Sequence, residues 1–335
     1  MQRITVEELQ KFGKTFSLSK QAIALVNQQK ATWELAAANY RSLRQVYTRS
    51  FDFGHFRIDC QFNPGRIRST AANTAAEAIQ TRPCFLCAEN RPPEQVGIQA
   101  EKECTILCNP FPIFPYHLTI VSEAHTPQQL TGRVPLLLNL CYDLQEFTIF
   151  YNGPRCGASA PDHFHFQAGV KNILPVEEEI SYLLKHQSDS LIELPEIKIR
   201  AVENFLRRVL CFESPQPETL VFWLEKTLQL LQKPGETEEP MLNLLGSYEN
   251  GNWRILLFPR SAQRPWQYFA EGEEKLLVSP AAVELGGLVI LPREEDFSRI
   301  TADDLTDIFG QVTLQSADFD QLKQALRETT KTSEK

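Results

Sequence analysis

The sequence predicts an α+β fold in which antiparallel sheets are flanked by helices. Segments with strand-like alternation and segments with helical spacing do not alternate regularly along the chain, which argues against a doubly wound parallel sheet. Hydrophobic residues make up 42% of the chain and charged residues 23%, as in ordinary globular proteins. A length of 335 residues is enough for one large domain or for two smaller ones.

The charge and the cysteines restrict the classes of partner. A net charge of −8 argues against a general nucleic-acid-binding surface, although a few local arginines can still form a pocket for a phosphorylated ligand. The N-terminus, MQRITVEELQ, lacks the apolar core of a signal peptide, and no apolar run approaches the length of a membrane span. We therefore expect a cytoplasmic protein with no nucleic-acid or membrane partner. Its eight cysteines are then expected to be thiols or metal ligands.

The N-terminal part of the chain is predicted to be a helical segment over residues 1–50. Thr5 and Glu8 have the spacing of a capping box at the start of a stretch of good helix formers. Residues 51–175 contain alternating apolar and polar positions, a proline-rich loop and a glycine-rich run. We interpret 51–175 as the catalytic lobe.

The remainder of the chain divides into further parts. Residues 176–232 have mostly helical spacing and are predicted to be a helical connection, although 191–202 allows an extended segment. The polar segment 233–240, KPGETEEP, suits a linker. Residues 240–300 are predicted to be the strands of a second lobe, and residues 301–335 a C-terminal helix and tail.

A strand with two histidines carries the strongest functional signal. In the segment HFHFQ, strand alternation places His163, His165 and Gln167 on one face. Phe164 and Phe166 then point to the opposite face and into the core. The alternative is a pair of solvent-facing histidines on an edge strand. A row of polar side chains on a rigid element is what a catalytic site prefers.

The loop before this strand, NGPRCGAS, favours the functional interpretation. Gly153, Gly157 and Ser159 allow backbone N–H groups to approach an anion closely, and Arg155 adds a positive charge. A glycine-rich loop alone is weak evidence. Its position directly before a His-x-His-x-Gln strand makes the signal stronger.

A Cys-x-x-C pair offers a metal site. Cys84 and Cys87 have the spacing that lets two thiolates bind one zinc ion, with His125 and His163 as candidates for the remaining ligands. From spacing alone, two unligated thiols are an equally good interpretation. A redox pair is disfavoured because no thioredoxin-like βαβ pattern surrounds the motif.

Together these motifs resemble the histidine-triad superfamily. NGPRCGASAPDHFHFQ (152–167) and NPFPIFPYHLTIVSEAHTPQQL (109–130) are similar to motifs of the diadenosine tetraphosphate and GDP-L-galactose phosphorylases, and CFLCAENRP (84–92) to the zinc motif of the galactose-1-phosphate uridylyltransferases. Residues 240–295 resemble the C-terminal part of the phosphorylases more loosely. The resemblance implies antiparallel sheets of the histidine-triad type, arranged as two related lobes.

The resemblance also assigns roles to single residues. It implies that His165 is the nucleophile and that Gln167 hydrogen-bonds the phosphoryl oxygens. The implied ligand set for a structural zinc ion is Cys84, Cys87, His125 and His163. The candidates for substrate binding are Asn152, Gly157, Ser159, Arg155, Asn109, Arg260 and Arg264. The chain departs from the uridylyltransferases in having no histidine after His186 and one residue fewer between Asn152 and the Gly/Ser turn.

The predicted function is that of a nucleotidyltransferase or phosphorylase. Its donor would be a nucleoside-diphosphate sugar or a dinucleoside polyphosphate, its acceptor phosphate or a sugar phosphate, and its intermediate a covalent nucleotidyl-histidine. The alternatives are a histidine-triad hydrolase, disfavoured by Gln167, and a non-catalytic, zinc-stabilised nucleotide-binding protein. A homodimer could complete the site, or the two lobes of one chain could. His117 is interpreted as a structural histidine, and Arg66 and Arg68 receive no role.

Overall fold

The computed structural model describes residues 3–67 and 82–333. Within these residues the strands are β1 (Tyr47–Asp52), β2 (Arg57–Phe62), β3 (Gly97–Ala100), β4 (Cys104–Cys108), β5 (His117–Ser122), β6 (Phe147–Asn152), β7 (His165–Val170), β8 (Ser188–Leu194), β9 (Ile197–Val202), β10 (Val209–Ser214), β11 (Leu242–Glu249), β12 (Asn252–Pro259) and β13 (Leu288–Leu291). The helices are α1 (Val6–Leu9), α2 (Leu18–Thr32), α3 (Glu34–Ser42), α4 (Val134–Asp143), α5 (Pro175–His186), α6 (Pro217–Leu231), α7 (Trp266–Phe269), α8 (Ala282–Leu285), α9 (Glu294–Arg299), α10 (Ala302–Val312) and α11 (Ser316–Ser333).

Ten strands form one antiparallel sheet in the order β3-β4-β5-β7-β6-β11-β12-β10-β9-β8. The first part of the chain contributes β3 to β7 and the second part contributes β8 to β12. The two parts join in this sheet at the β6–β11 pair, where Asn152 lies opposite Asn243. The β11–β12 hairpin turns at Asn250 and Gly251, whose φ angles of 51° and 80° suit the tight turn that an Asn-Gly pair favours. A smaller sheet of order β1-β2-β13 contains one parallel pair, β2 with β13.

A hydrophobic core lies on each face of the large sheet. One core contains Phe164 and Phe166 and is covered by α2, α4, α6 and α11. The other contains Phe114 and Phe150, together with α5, α8, α10 and the small sheet. Strand alternation explains the division, because neighbouring residues of a strand point to opposite faces. The predicted α+β class and the helix-flanked antiparallel sheets are confirmed. None of the helices in the described residues is long and apolar enough to cross a membrane.

The structure corrects two predicted segments. Residues 176–232 are not mostly helical, because β8, β9 and β10 occupy their middle and extend the large sheet. The C-terminal region forms two helices, α10 and α11, instead of one. The chain leaves α10 at Thr313 because this residue bridges to Arg260, and the N–H of Leu314 donates to the carbonyl of Pro259 (3.0 Å). The linker 233–240 does connect α6 with β11, and Glu239 anchors it by accepting a hydrogen bond from the hydroxyl of Tyr151.

Candidate active site

A cavity of about 420 Å³ lies beside β5, β6 and β7, and both parts of the chain line it. Seven of the predicted site residues are in its lining: Asn109, Asn152, Gly157, Ser159, His165, Gln167 and Arg264. The opposite wall, from the second part of the chain, includes Gln263, Ser279 and Glu284. His165 and Gln167 therefore share a face of β7, as alternation predicted, while Phe164 and Phe166 enter the core on the other side.

His165 is the first residue of β7, and its backbone and ring are both fixed. Its N–H donates to Oε1 of Gln128 (2.8 Å), and its ring Nδ1 lies 2.8 Å from the carbonyl oxygen of His163. A carbonyl can only accept, so Nδ1 carries the proton and Nε2 keeps its lone pair. Burial lowers the pKa of His165 to about 4. The imidazole is neutral at pH 7, as a nucleophile requires.

Gln167 presents its amide nitrogen to the cavity. Its Oε1 lies 3.1 Å from Nε2 of His117 and 3.4 Å from Nδ2 of Asn109. Asn109 also donates to the hydroxyl of Thr119 (3.2 Å) and accepts from the N–H of Phe111 (3.0 Å). The hydrogen bonds of its amide are therefore made mainly to protein groups. The carbonyl oxygen of Gln167 is therefore occupied, and its N–H groups remain for a ligand.

Asn152, at the end of the neighbouring strand β6, is held in the same way. Its Oδ1 accepts hydrogen bonds from Nδ2 of Asn243 (2.8 Å) and from the N–H of Ala282 (2.9 Å). Asn243 is oriented in turn by Arg260, whose guanidinium donates to its Oδ1. The amide nitrogen of Asn152 has no partner among the described residues. Two carboxamides in the cavity are thus arranged as hydrogen-bond donors, and a phosphoryl group is an acceptor that suits both.

The loop between β6 and β7 requires a glycine at position 157. Gly157 has φ of +96°, a conformation that glycine adopts without strain, and a Cβ there would lie 2.6 Å from Cβ of Ala281. The loop therefore packs closely against the second part of the chain. Ser159 follows in the cavity lining, and its carbonyl accepts a hydrogen bond from Nη2 of Arg82 (2.8 Å).

Two of the predicted substrate-binding arginines lie elsewhere. Arg155 points away from the cavity lining and pairs with Glu238 (3.2 Å) and Glu236 (3.7 Å) of the 233–240 linker. Arg260 is 3% exposed and donates to backbone carbonyls, including those of Val312 and Pro280, as well as to Asn243. It supports the site from behind, through Asn243 and through the carbonyl of the lining residue Gln263 (3.1 Å). Both were predicted to contact substrate, and neither is in the cavity lining. The sequence alone does not show where a long side chain ends.

A cluster of four side chains lies beside the cavity. The thiol and ring nitrogen atoms of Cys84, Cys87, His125 and His163 all lie within 4.8 Å of one another. Sγ of Cys84 is 3.3 Å from Nδ1 of His163, and Sγ of Cys87 is 3.1 Å from Nδ1 of His125. Around a tetrahedral zinc ion with ordinary bond lengths, neighbouring ligand atoms are about 3.5 Å apart.

The protonation of His163 fits a metal ligand. Its Nε2 donates to the carbonyl oxygen of Ser122 (2.9 Å), which leaves the lone pair on Nδ1, the atom that faces both thiols. His163 lies just before β7 and not in it, which differs from the predicted strand. Burial and the neighbouring Cys84 thiol raise the pKa of Cys87 to about 11. Two adjacent thiolates therefore need a cation to be stable at neutral pH, and the donor set fits zinc.

The chain is similar to known proteins in sequence motifs and in fold. Residues 25–170 match the family model described as domain of unknown function (DUF4922), and residues 182–333 match the GDPGP1-like, C-terminal domain. No curated protein sequence matches the chain. Yeast Ap4A phosphorylase Apa2 is 16% identical, and its crystal structure aligns with 84% of this chain and 97% of its own, with a TM-score of 0.53. The chain therefore shares its fold with this phosphorylase.

Two more structures give the range of the similarity. Apa2 in complex with Ap4A aligns with 86% of this chain and 97% of its own at 16% identity, with a TM-score of 0.54. A uridylyltransferase is 15% identical and covers 74% of this chain and 91% of its own, with a TM-score of 0.40.

The cavity lining includes a residue that received no role in the sequence interpretation. Arg66 ends a short 3₁₀ turn after β2, lines the cavity and donates to the carbonyl of Phe111 (2.7 Å). Its buried Nε has no partner among the described residues. The sequence Asn63-Pro64-Gly65 favours a turn, but the small sheet is what brings this turn close to β7. Arg68 lies outside the described residues.

Gln128 was also missed as a functional residue. Besides accepting from the N–H of His165, its amide donates to the carbonyls of His165 (2.9 Å) and Asn152 (3.0 Å). It therefore ties the end of β6 to the start of β7, where the two strands separate around the glycine-rich loop. Its position after the LTIVS strand was part of the resemblance, but its partners could not be read from the sequence.

Proposed function

We propose that the protein is a nucleotidyltransferase or phosphorylase that works through a covalent nucleotidyl-histidine at His165. The observation that carries this proposal is the ring of His165, whose Nδ1 proton is held by the His163 carbonyl while the unprotonated Nε2 faces a cavity. Two donor carboxamides, those of Gln167 and Asn152, line the same cavity. This combination supplies a nucleophile and a site for phosphoryl oxygens in one place.

The first step transfers a nucleotidyl group to the protein. Nε2 of His165 attacks the α-phosphorus of the donor, a P–N bond forms, and the P–O bond to the departing nucleotide or sugar phosphate breaks. In the second step an oxygen of the acceptor phosphate attacks the same phosphorus, and the P–N bond breaks. The amide N–H groups of Gln167 and Asn152 stabilise the charge on the phosphoryl oxygens in both steps.

The charges of the cavity suit a substrate with several phosphates. Arg66, Arg82 and Arg264 line it, and Glu284 is its one acidic lining residue among the described residues. Burial raises the pKa of Glu284, which reduces its negative charge. A cavity with this excess of positive charge would attract a dinucleoside polyphosphate or a nucleoside-diphosphate sugar even though the whole chain is acidic.

The nucleotide has an apolar compartment next to the phosphate site. Trp33, Leu35, Leu107 and Pro110 line the end of the cavity formed by the N-terminal helices and β4. We assign the base to this compartment, because bases stack on apolar and aromatic walls. One chain supplies both walls, so a single chain holds a complete site in this proposal.

The proposed zinc ion has a structural role. Cys84, Cys87, His125 and His163 would hold it in a closed tetrahedral site that fixes the segment before β7. Bound zinc would supply stability and the position of His163, whose carbonyl in turn orients the ring of His165. No chemical step is assigned to these four residues.

The test of the function is a substrate screen with defined acceptors. The protein is incubated with Ap4A or with a set of nucleoside-diphosphate sugars, each with inorganic phosphate, with a hexose 1-phosphate, or with neither, and the nucleotide products are separated. We expect turnover that depends on an acceptor. Turnover of equal rate without any acceptor would identify a hydrolase instead, and no turnover with any donor would overturn the proposal.

A further inference from the structure

His117 is a buried histidine with a fixed tautomer. It begins β5, is 0% exposed and lies among Phe114 and Phe150. The backbone N–H of Ile113 donates to its Nδ1 (3.2 Å). A backbone N–H can only donate, so Nδ1 must be unprotonated and the ring proton must be on Nε2. That Nε2–H lies 3.1 Å from Oε1 of Gln167.

A second donor with a fixed orientation meets the same oxygen. Nδ2 of Asn109 lies 3.4 Å from Oε1 of Gln167. Asn109 cannot turn its amide around, because its Oδ1 accepts the N–H of Phe111 (3.0 Å) and its Nδ2 donates to Thr119 (3.2 Å). If the carboxamide of Gln167 were flipped, its NH₂ group would face two N–H donors and no acceptor, which is costly in a buried setting.

We propose that His117 is a positioning residue that holds the carboxamide of Gln167 as a donor toward the phosphoryl group of a bound nucleotide. The inference rests on the proposed function, because it takes the phosphoryl group to lie beside Gln167 in the cavity. Loss of the His117 donor leaves Gln167 with only the longer contact to Asn109. The amide can then rotate and present its oxygen, which repels a phosphoryl oxygen.

The chemistry of His117 supports a constant donor. Burial and the nearby Arg66 guanidinium lower the pKa of His117 to about 3. The side chains that act on the ring are Arg66, Gln167 and the apolar rings of Phe114 and Phe150, and none of them offers a carboxylate that would favour a second proton. The ring therefore remains neutral, with its single proton on Nε2.

The test uses two matched substitutions of His117. His117→Asn keeps an acceptor near the position of Nδ1 for the Ile113 N–H but has no atom that reaches Gln167. His117→Gln places an amide donor near the position of Nε2. The readout is the Kd for AMP, measured by titration calorimetry at pH 7.5 in the wild type, both variants, Gln167→Met, and the double variants that combine Gln167→Met with each substitution. Circular dichroism of each variant establishes that it is folded.

We expect His117→Asn to weaken AMP binding by about tenfold and His117→Gln by much less. The loss corresponds to one hydrogen bond, from the Gln167 amide to the charged phosphoryl group of AMP. In the Gln167→Met background, neither substitution at position 117 should change the Kd further. An equal loss with and without Gln167 would overturn the inference, because His117 would then act through the fold. If the wild type does not bind AMP, GMP and UMP take its place, and failure to bind all three would overturn the proposed function together with the inference. Absence of nucleotidyl transfer despite the expected binding pattern would overturn the transferase alone.

Discussion

The cavity and the Cys/His cluster hold neighbouring histidines in opposite tautomers. Nε2–H of His163 donates a hydrogen bond to the Ser122 carbonyl, so the lone pair of Nδ1 faces the thiols. Nδ1–H of His165 donates a hydrogen bond to the His163 carbonyl, so the lone pair of this ring is on Nε2, on the side of the cavity. A backbone carbonyl thus decides, for each ring, which nitrogen is available. In the proposed function, the same type of side chain serves as a metal ligand in one region and as a nucleophile in the other.

The comparison also shows how the cluster supports the cavity. The carbonyl that orients His165 belongs to His163, so the position of the proposed ligand fixes the proposed nucleophile. Substitutions in the cluster should therefore lower the stability of the protein, and should lower its activity as a consequence of that loss. Changes to the cavity should affect activity with little change in stability.

Substitution of His165 should separate the two regions most clearly. We expect His165→Ala to lower the rate of nucleotidyl transfer by roughly 10⁴-fold or more, because it removes the nucleophile. The zinc content should be unchanged, and the melting temperature should change little. Steady-state kinetics, elemental analysis and thermal unfolding check these three expectations. A variant that keeps a tenth of the activity would assign the chemistry to another group.

Substitution of Cys84 should have the opposite profile. We expect Cys84→Ser to remove bound zinc and to lower the free energy of unfolding by more than about 3 kcal/mol, since metal binding to the native state contributes to folding. Elemental analysis and urea unfolding measure both. Cys141→Ser is the matched control, because Cys141 is a buried thiol in the core and not in the cluster. The control should lose stability but keep its zinc; zinc loss in both variants, or in neither, would contradict the ligand set.

Substitution of Arg66 tests the charge of the cavity. We expect Arg66→Ala to weaken nucleotide binding by about tenfold or more, because a cation with an unpartnered buried Nε is removed from the cavity. Arg66→Lys should restore part of the affinity, since lysine keeps the charge but not the planar donors. Arg155→Ala should leave binding unchanged, because Arg155 pairs with the linker. Equal losses for Arg66→Ala and Arg155→Ala would show that only the net charge matters.

The pH dependence of stability should report the buried His117. The pKa of this residue is about 3 in the folded protein and near 6.5 in an unfolded chain. The unfolded state then binds more protons between these values, so the contribution of His117 is fully present above pH 6.5 and is lost as the pH falls toward 3. Between pH 7 and pH 5 we expect a loss of roughly 2 kcal/mol that is absent in His117→Gln. If the wild type and His117→Gln lost the same unfolding free energy between pH 7 and pH 5, a neutral buried ring at position 117 would be contradicted.

Some parts of this account could be predicted from the sequence. Alternation in HFHFQ is a local property of a strand, so it placed His165 and Gln167 on one face and the two phenylalanines in the core. The Cys/His cluster followed from motif resemblance, and the structure brings its four side chains together. In both cases the signal lies in a short stretch of sequence with a defined geometry.

Other parts depend on contacts between distant residues and could not be predicted. Arg260 was taken for a substrate contact, but the β6–β11 pairing places it behind Asn243 and Asn152. His117 was taken for a structural histidine because its partner Gln167 lies 50 residues away on the next strand of the sheet. An extended segment was allowed at 191–202, but β10 was predicted to be helical, because a strand that is almost fully buried lacks the alternation that identifies a half-exposed strand.

The most direct test of the proposed mechanism is the covalent intermediate. The protein is mixed with an excess of Ap4A, quenched within milliseconds to seconds under alkaline conditions that preserve phosphohistidine, and analysed by intact-protein and peptide mass spectrometry. The account predicts an adenylyl group on His165 that disappears when inorganic phosphate is added and that is absent in His165→Ala. Turnover of Ap4A by a wild-type protein that never carries the adenylyl group on His165, or an adenylyl group that persists in His165→Ala, would contradict it.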